Sequence, residues 1–278
     1  MSRPPFPYAL AAIDIDDTLV GPDKTIGREN RRAVHRLQAL GCRVVLASGR
    51  RHANMLPFCE ELGLDDYVVS SQGARVEHAR TGELVHHAPL APADQVALVA
   101  EGHRRGFTVM LWLREGVFAA AHTPWIDVYR EESGGDAVTI ADLATLAAEP
   151  AEKIIWAADP EEIAAASVEF GPRHTGRLSQ TITNDFYLEF TAPNANKDNG
   201  VSALARRLSI PRDAVLAFGD GNNDVSLLSW AGLGVAMPHG RASARSAARL
   251  VASDGDPESA VARAVDQILL GLDGEKVA

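Results

Sequence analysis

Residues 14–20 read DIDDTLV, directly after the apolar run Ala9–Ile13. The run predicts a buried strand over Leu10–Ile15, and it delivers Asp14, Asp16 and Asp17 to that strand's carboxyl end. Open α/β sheets bind ligands at that end. Asp14 and Asp16 are two positions apart, so extended backbone aims both to one side. Carboxylates forced together repel, and a divalent cation is the usual remedy. An Asx-turn closing a strand would explain the same residues without a ligand.

Working outward, the pattern alternates strand and helix. Arg28–Leu40 carries Ala33, Val34, Leu37 and Leu40 on one face, and Gly41 caps it. CRVVLA, residues 42–47, is a continuous apolar run, as in a strand covered on both faces. A helix over Ala53–Leu62 ending at Gly63 and a strand at Tyr67–Ser70 complete βαβαβ, the pattern of a parallel sheet. The style returns near the end: a helix at Val201–Leu208, a strand at Ala214–Phe218 and a helix at Asn222–Trp230. Then follow a strand at Gly234–Met237, a helix at Ala242–Ala248, a short strand at Leu250–Ala252 and a closing helix at Pro257–Leu270. The segment Gly271–Ala278 is a polar tail.

The middle differs. Strands are expected at Leu84–His87, Thr108–Leu113, Val117–Ala121 and Lys153–Ala158, with helices at Pro92–Arg105 and Glu161–Phe170. Leu178–Thr183 and Phe186–Phe190 read as an antiparallel pair turning at Asn184-Asp185. Strands beside strands predict an antiparallel sheet with helices on one face. The expected organisation is therefore an α/β core over 1–82 and 189–278 with an α+β unit, 83–188, inserted into it.

At 278 residues the chain can bury a sizeable core, and 46% hydrophobic with 23% charged residues is ordinary for a globular protein. A net charge of −10 argues against nucleic acid as a partner, because phosphate backbones need a basic face. Cys42 and Cys59 have no CxxC spacing and read as buried thiols, consistent with a reducing cytoplasm. The opening MSRPPFPYALAAIDIDD reaches Asp14 too soon for a signal peptide or a membrane span, and no run of eighteen apolar residues occurs. A cytoplasmic location without membrane contact is expected. None of the nine histidines has metal-ligand spacing.

Three further stretches carry chemistry. VVLASGR, Val44–Arg50, ends the second strand at Ser48. The Ser48 hydroxyl and the free N–H groups around Gly49 suit a phosphate, and Arg50 adds an anion contact. A plain Ser-Gly turn reads the same. NANKDNG, Asn194–Gly200, places Lys197 at a helix opening, where anions are favoured; a solvated lysine is the bland alternative. AVLAFGDGNNDVSLL, Ala214–Leu228, brings Asp220 to the carboxyl end of another strand, with Asn223 and Asp224 following. Acidic residues on two strand ends can share one hard cation.

Together these stretches resemble the haloacid dehalogenase-like phosphohydrolase superfamily: DIDDT its DxDxT motif, Ser48 its second-strand hydroxyl, Lys197 its lysine, GDGNND its acidic fourth motif. The insertion of about 150 residues between Ser48 and Lys197, and the tail GVAMPHGRASARSAARLVASDGDPESAVARAV, resemble the Cof-like subgroup with a large C2B-type cap. Three positions depart from that subgroup: Asp17 where Gly is usual, Gln72 in SQGA where Asn is usual, and Asp198 where Gly follows the lysine. These bear on substrate contacts more than on the chemistry.

The resemblance implies a Rossmann-like core, an inserted cap that sorts substrates, and Mg2+-dependent hydrolysis of small phosphorylated metabolites such as sugar, flavin or pyridoxal phosphates. It implies Asp14 as nucleophile and Asp16 as general acid and base. Mg2+ would be held by Asp14, the Asp16 backbone carbonyl and Asp220, supported by Asp224. Ser48, Gly49, Arg50, Lys197 and Asn223 would hold the phosphoryl group or substrate. A monomer or homodimer is expected. A phosphomutase of the same superfamily fits these residues too. A receiver-like regulatory module shares the Asp cluster, hydroxyl and lysine, but is much shorter and lacks the cap and GDGNND. The absence of GxxxxGK[ST] sets a P-loop NTPase aside.

Overall fold

The structure, a computed structural model, describes residues 6–170 and 176–274, with side chains to 271. The first five residues of the opening stretch and the end of the polar tail lie outside the described residues. Two compact units divide the chain, Met1–His87 with Asn196–Ala278, and Ala88–Ala195.

The first unit is built on an eight-stranded sheet. Its parallel strands run in the order Leu250–Val251, Leu233–Ala236, Val215–Gly219, Leu10–Ile13, Arg43–Ala47 and Tyr67–Ser70. Antiparallel strands Arg75–His78 and Leu84–His87 extend the edge. Leu10–Ile13 is central, with Ile13 level with Phe218 on one side and Leu46 on the other. Its four residues are all buried, since both faces are covered. Ala11 and Ile13 pack toward Val34, Leu37, Met55 and Val265, from helices Arg28–Ala39, His52–Leu62 and Ala260–Gly274. Leu10 and Ala12 pack toward Val201, Leu204 and Leu227, from helices Lys197–Arg207 and Val225–Trp230. This is the parallel-sheet α/β core that the apolar runs predict, and the Rossmann-like core that the family resemblance implies. The helix His52–Leu62 ends as expected at Gly63, whose φ of 64° is left-handed.

The second unit holds a six-stranded sheet in the order Ser179–Asn184, Tyr187–Thr191, Lys153–Ala157, Thr108–Trp112, Val117–Ala119, Val138–Ile140. All neighbours are antiparallel except the last pair. Helices Pro92–Arg105 and Pro160–Phe170 cover one face through Leu98, Ile163 and Phe170 against Trp156, Leu188 and Phe190.

Four expectations change. The boundaries fall after His87 and Ala195 rather than at 82/83 and 188/189. Leu84–His87 pairs with Arg75–His78 in the first sheet, and Tyr187–Thr191 lies inside the second, hydrogen-bonded on both sides. Helices do not lie on one face only: the nine-residue helix Pro124–Glu132 places Ile126 and Tyr129 on the opposite face with Met110 and Ile155. The hairpin turns one residue later, at Asp185-Phe186, with Asn184 opposite Tyr187. Phe186 leaves the strand to stack on Trp125, ring centroids 5.5 Å apart. Among the described residues, no helix is long and apolar enough to cross a membrane.

Candidate active site

Four parallel strands end side by side, and their loops carry the polar groups. Asp14 follows Leu10–Ile13, Ser48 follows Arg43–Ala47, Ser71–Gly73 follows Tyr67–Ser70, and Asp220 follows Val215–Gly219. Lys197 opens its helix behind Asn196, whose side chain caps the turn by accepting from the Asn199 N–H.

Lys197 is completely buried. Its Nζ donates to Asp14 Oδ1 at 2.6 Å and to Asp224 Oδ1 at 2.7 Å. Burial alone pushes the ammonium down, but Asp14 and Asp224 outweigh it and hold it above the ordinary lysine range. Asp224 is also fully buried, and its Oδ2 accepts from the Asp220 N–H at 3.0 Å and the Gly221 N–H at 2.9 Å. The motif thus closes its own loop, with Asp224 tying the strand end to the lysine. Asp220 is oriented by Thr18, whose Oγ1 donates to Oδ1 at 2.7 Å.

Asp14, Asp220 and Asp224 each bring one oxygen within 4.8 Å of the others. Burial, then the Asp224 charge, holds the Asp14 carboxyl well above the usual carboxylate range, although Lys197 pulls the other way. Burial likewise pushes Asp220 up to about 6. With all three carboxyls ionised, one lysine leaves the cluster short of positive charge by two, and burial resists the ionisation of Asp14 and Asp220. An oxygen-only donor set with that deficit fits a hard divalent cation.

Asp16 is turned elsewhere. Arg50 grips it with both arms of its fork, Nε to Oδ2 at 2.8 Å and Nη2 to Oδ1 at 2.6 Å, and Lys24 adds a contact at 3.3 Å. Burial would raise this carboxyl, yet the Arg50 hydrogen bonds and charge dominate and hold it below the usual range. Arg50 also sits over the Phe58 ring, 5.1 Å from its centroid, and its N–H donates to Ser48 Oγ at 3.2 Å. In this arrangement the Arg50 guanidinium serves Asp16, while Ser48 and Gly49 line the neighbouring turn. Asn223 Nδ2 donates to Gln72 Oε1 at 3.1 Å.

Every candidate catalytic, phosphate-binding and metal-binding residue named from the sequence therefore lies in one unit, at one end of one sheet. Three features were missed there: Thr18 as the group that holds Asp220, the Arg50–Asp16 ion pair, and the link between Gln72 and Asn223. Thr18 carried a signal as the closing residue of DxDxT. The other two depend on contacts between distant loops and carried none.

The chain matches the model of the family described as haloacid dehalogenase-like hydrolase over residues 11–265. It is 29% identical over 244 residues to an HMP-PP phosphatase of Cronobacter sakazakii, covering 82% of this chain and 83% of that one. It is 26% identical over 240 residues to the 5-amino-6-(5-phospho-D-ribitylamino)uracil phosphatase YitU of Bacillus subtilis, covering 84% and 87%. A haloacid dehalogenase-like hydrolase from Bacteroides thetaiotaomicron superposes with a TM-score of 0.84 at 25% identity, over 94% of this chain and 99% of that one. On a match that spans nearly the whole chain, the protein belongs to the haloacid dehalogenase-like hydrolase family, in its Cof-like group.

Proposed function

We propose that this hydrolase is a Mg2+-dependent phosphatase that cleaves monoesters of small phosphorylated metabolites through an aspartyl phosphate on Asp14. The observation that carries the reading is the buried Asp14–Lys197–Asp224 chain beside Asp220, with Asp16 held separately two residues from Asp14. Two relatives whose names give phosphorylated small molecules as substrates support the substrate class.

Asp14, Asp220 and the Asp16 backbone carbonyl would hold Mg2+, which when bound neutralises charge on the phosphoryl group; Asp224 supports the set from behind. Lys197, the Ser48 hydroxyl and the Gly49 N–H hold phosphoryl oxygens. An Asp14 carboxylate oxygen bonds to phosphorus as the ester O–P bond breaks, and Asp16 gives its proton to the departing alcohol. Asp16 then takes a proton from water as that water attacks phosphorus. The bond to Asp14 breaks and inorganic phosphate leaves. Arg50 keeps Asp16 ionised at rest, so the ion pair must open and Asp16 must take up a proton from solvent before it can give one to the alcohol; the proton it later takes from water restores that form. Most of the catalysis is positioning and charge neutralisation. The inserted unit, Ala88–Ala195, selects among substrates.

A phosphate-release screen over a panel of phosphorylated metabolites tests this. Release is expected with Mg2+ and should stop in excess chelator. Undiminished release in chelator, or none from any ester, contradicts the reading; formation of a phosphate-migrated isomer would mark a mutase instead.

A further inference from the structure

One polar side chain at the strand ends has no part in the chemistry above. Ser71 and Gln72 both adopt left-handed backbone, with φ of 51° and 59°. Two successive non-glycine residues in that region carry a conformational cost that neighbouring contacts must offset. Those contacts all lead to the phosphate end. The Ser71 N–H donates to the Arg50 carbonyl at 2.8 Å, and the Gln72 N–H to the Ser48 carbonyl at 3.1 Å. Gly73, at φ 92°, lies so close to the loop before Lys197 that a Cβ there would sit 2.1 Å from the Asn196 oxygen.

The side chain is aimed by the same turn. Its Oε1 accepts from Asn223 Nδ2 at 3.1 Å, which identifies the other end of the amide as the nitrogen. That nitrogen lies against Gly49, where a Cβ would come within 2.6 Å of it. Gln72 is only half-buried, and Nε2 has no acceptor among the described residues. One amide therefore spans two loops of the site, with its oxygen engaged and its two N–H donors free beside the Ser48-Gly49 turn.

We infer that Gln72 is a substrate-binding residue: its Nε2 donates to a phosphoryl oxygen of the bound monoester, with Asn223 holding the amide in the required orientation. This rests on the phosphatase reading. It explains why a side chain is kept at a backbone position that a glycine would occupy more easily. A purely structural Gln72 predicts the opposite behaviour on substitution, because Gln72→Gly relieves the backbone and leaves Ser48, Lys197 and the carboxylates in place.

The experiment titrates inorganic phosphate into the full chain with Mg2+ by calorimetry, for wild type, Gln72→Gly and Gln72→Asn, alongside melting temperature, KM and kcat. Gln72→Gly should melt no lower than wild type, yet bind phosphate about tenfold more weakly or worse, the worth of a hydrogen bond to a charged group. KM should rise in step, with kcat changed less. Gln72→Asn keeps an amide and tolerates left-handed backbone, but is one methylene short, so it should weaken phosphate in the same direction. Phosphate affinity equal to wild type in Gln72→Gly overturns the assignment; if that variant does not fold, equal affinity in Gln72→Asn does so. If wild type neither binds phosphate nor releases it from any ester, the phosphatase reading itself fails, and Gln72 with it.

Discussion

Lys197 shows how much of the site depends on single charges. A fully buried ammonium between two carboxylates is tolerated because each partner offsets the desolvation of the others. Lys197→Met preserves much of the volume and leaves Asp14 and Asp224 facing each other unpaired. Breaking a buried pair this way typically costs about 3–5 kcal/mol, so urea unfolding should show a loss of that order, with phosphate release abolished in the fraction that stays folded. The thiols make a contrasting prediction. Burial pushes Cys42 and Cys59 up to about 12, so neither is a thiolate at pH 8. The native chain should leave a thiol reagent unreacted at that pH and release two equivalents only after denaturation. Rapid native reaction would show that these residues are not the buried thiols described. At this scale the acidic and basic site residues were legible, because each follows an apolar run that reads as a strand or opens a helix. Gln72 was visible only as a departure from a family pattern. Its importance depends on a φ of 59° and on a bond to a residue 151 positions away.

The elements were legible where one period dominates. The helix Pro92–Arg105 and the strand Tyr67–Ser70 stand where the pattern puts them. The helix Pro124–Glu132 did not stand out although Trp125, Ile126, Val128 and Tyr129 keep helical spacing, because it is only nine residues long and sits in a stretch rich in charge. The strand Arg75–His78 was also missed: the arginine and glutamate of RVEH look solvated, yet Arg75 and Glu77 are buried and paired at 2.7 Å. Turns separate structure from function in a way that paired glycine substitutions can measure. Gly41 and Gly73 both have positive φ, 83° and 92°. A Cβ on Gly41 meets nothing within 4 Å, whereas one on Gly73 would collide with the Asn196 carbonyl. Gly41→Ala should therefore cost roughly 1–2 kcal/mol of backbone strain and leave phosphate release per folded molecule unchanged. Gly73→Ala should cost more, and it should also reduce turnover by shifting the loop that carries Lys197. Equal turnover in the two variants would contradict the coupling of that turn to the site.

The whole molecule places its polar chemistry at one end of a parallel sheet whose interior is almost entirely apolar, and inserts a second unit between Ser48 and Lys197. Nearly every strand of the core follows from continuous apolar runs, because strands covered on both faces carry no polar positions to obscure them. The inserted unit was legible as an antiparallel α+β element, but its limits were not, since the edge strand Leu84–His87 looks the same from sequence whichever sheet it joins. The proposed mechanism gives Asp14 and Asp16 different roles, nucleophile and proton carrier, and that difference is directly measurable. Asp14→Asn removes the attacking oxygen, while Asp16→Asn keeps it and loses the group that activates water. With a nitrophenyl ester, whose leaving group needs little protonation, Asp16→Asn should turn over about 10²–10⁴-fold more slowly and accumulate a phosphorylated protein. Intact-protein mass spectrometry after rapid quenching should show one phosphoryl adduct on Asp16→Asn in Mg2+, and none on Asp14→Asn or in excess chelator. An adduct on Asp14→Asn, or its persistence in chelator, would contradict the account.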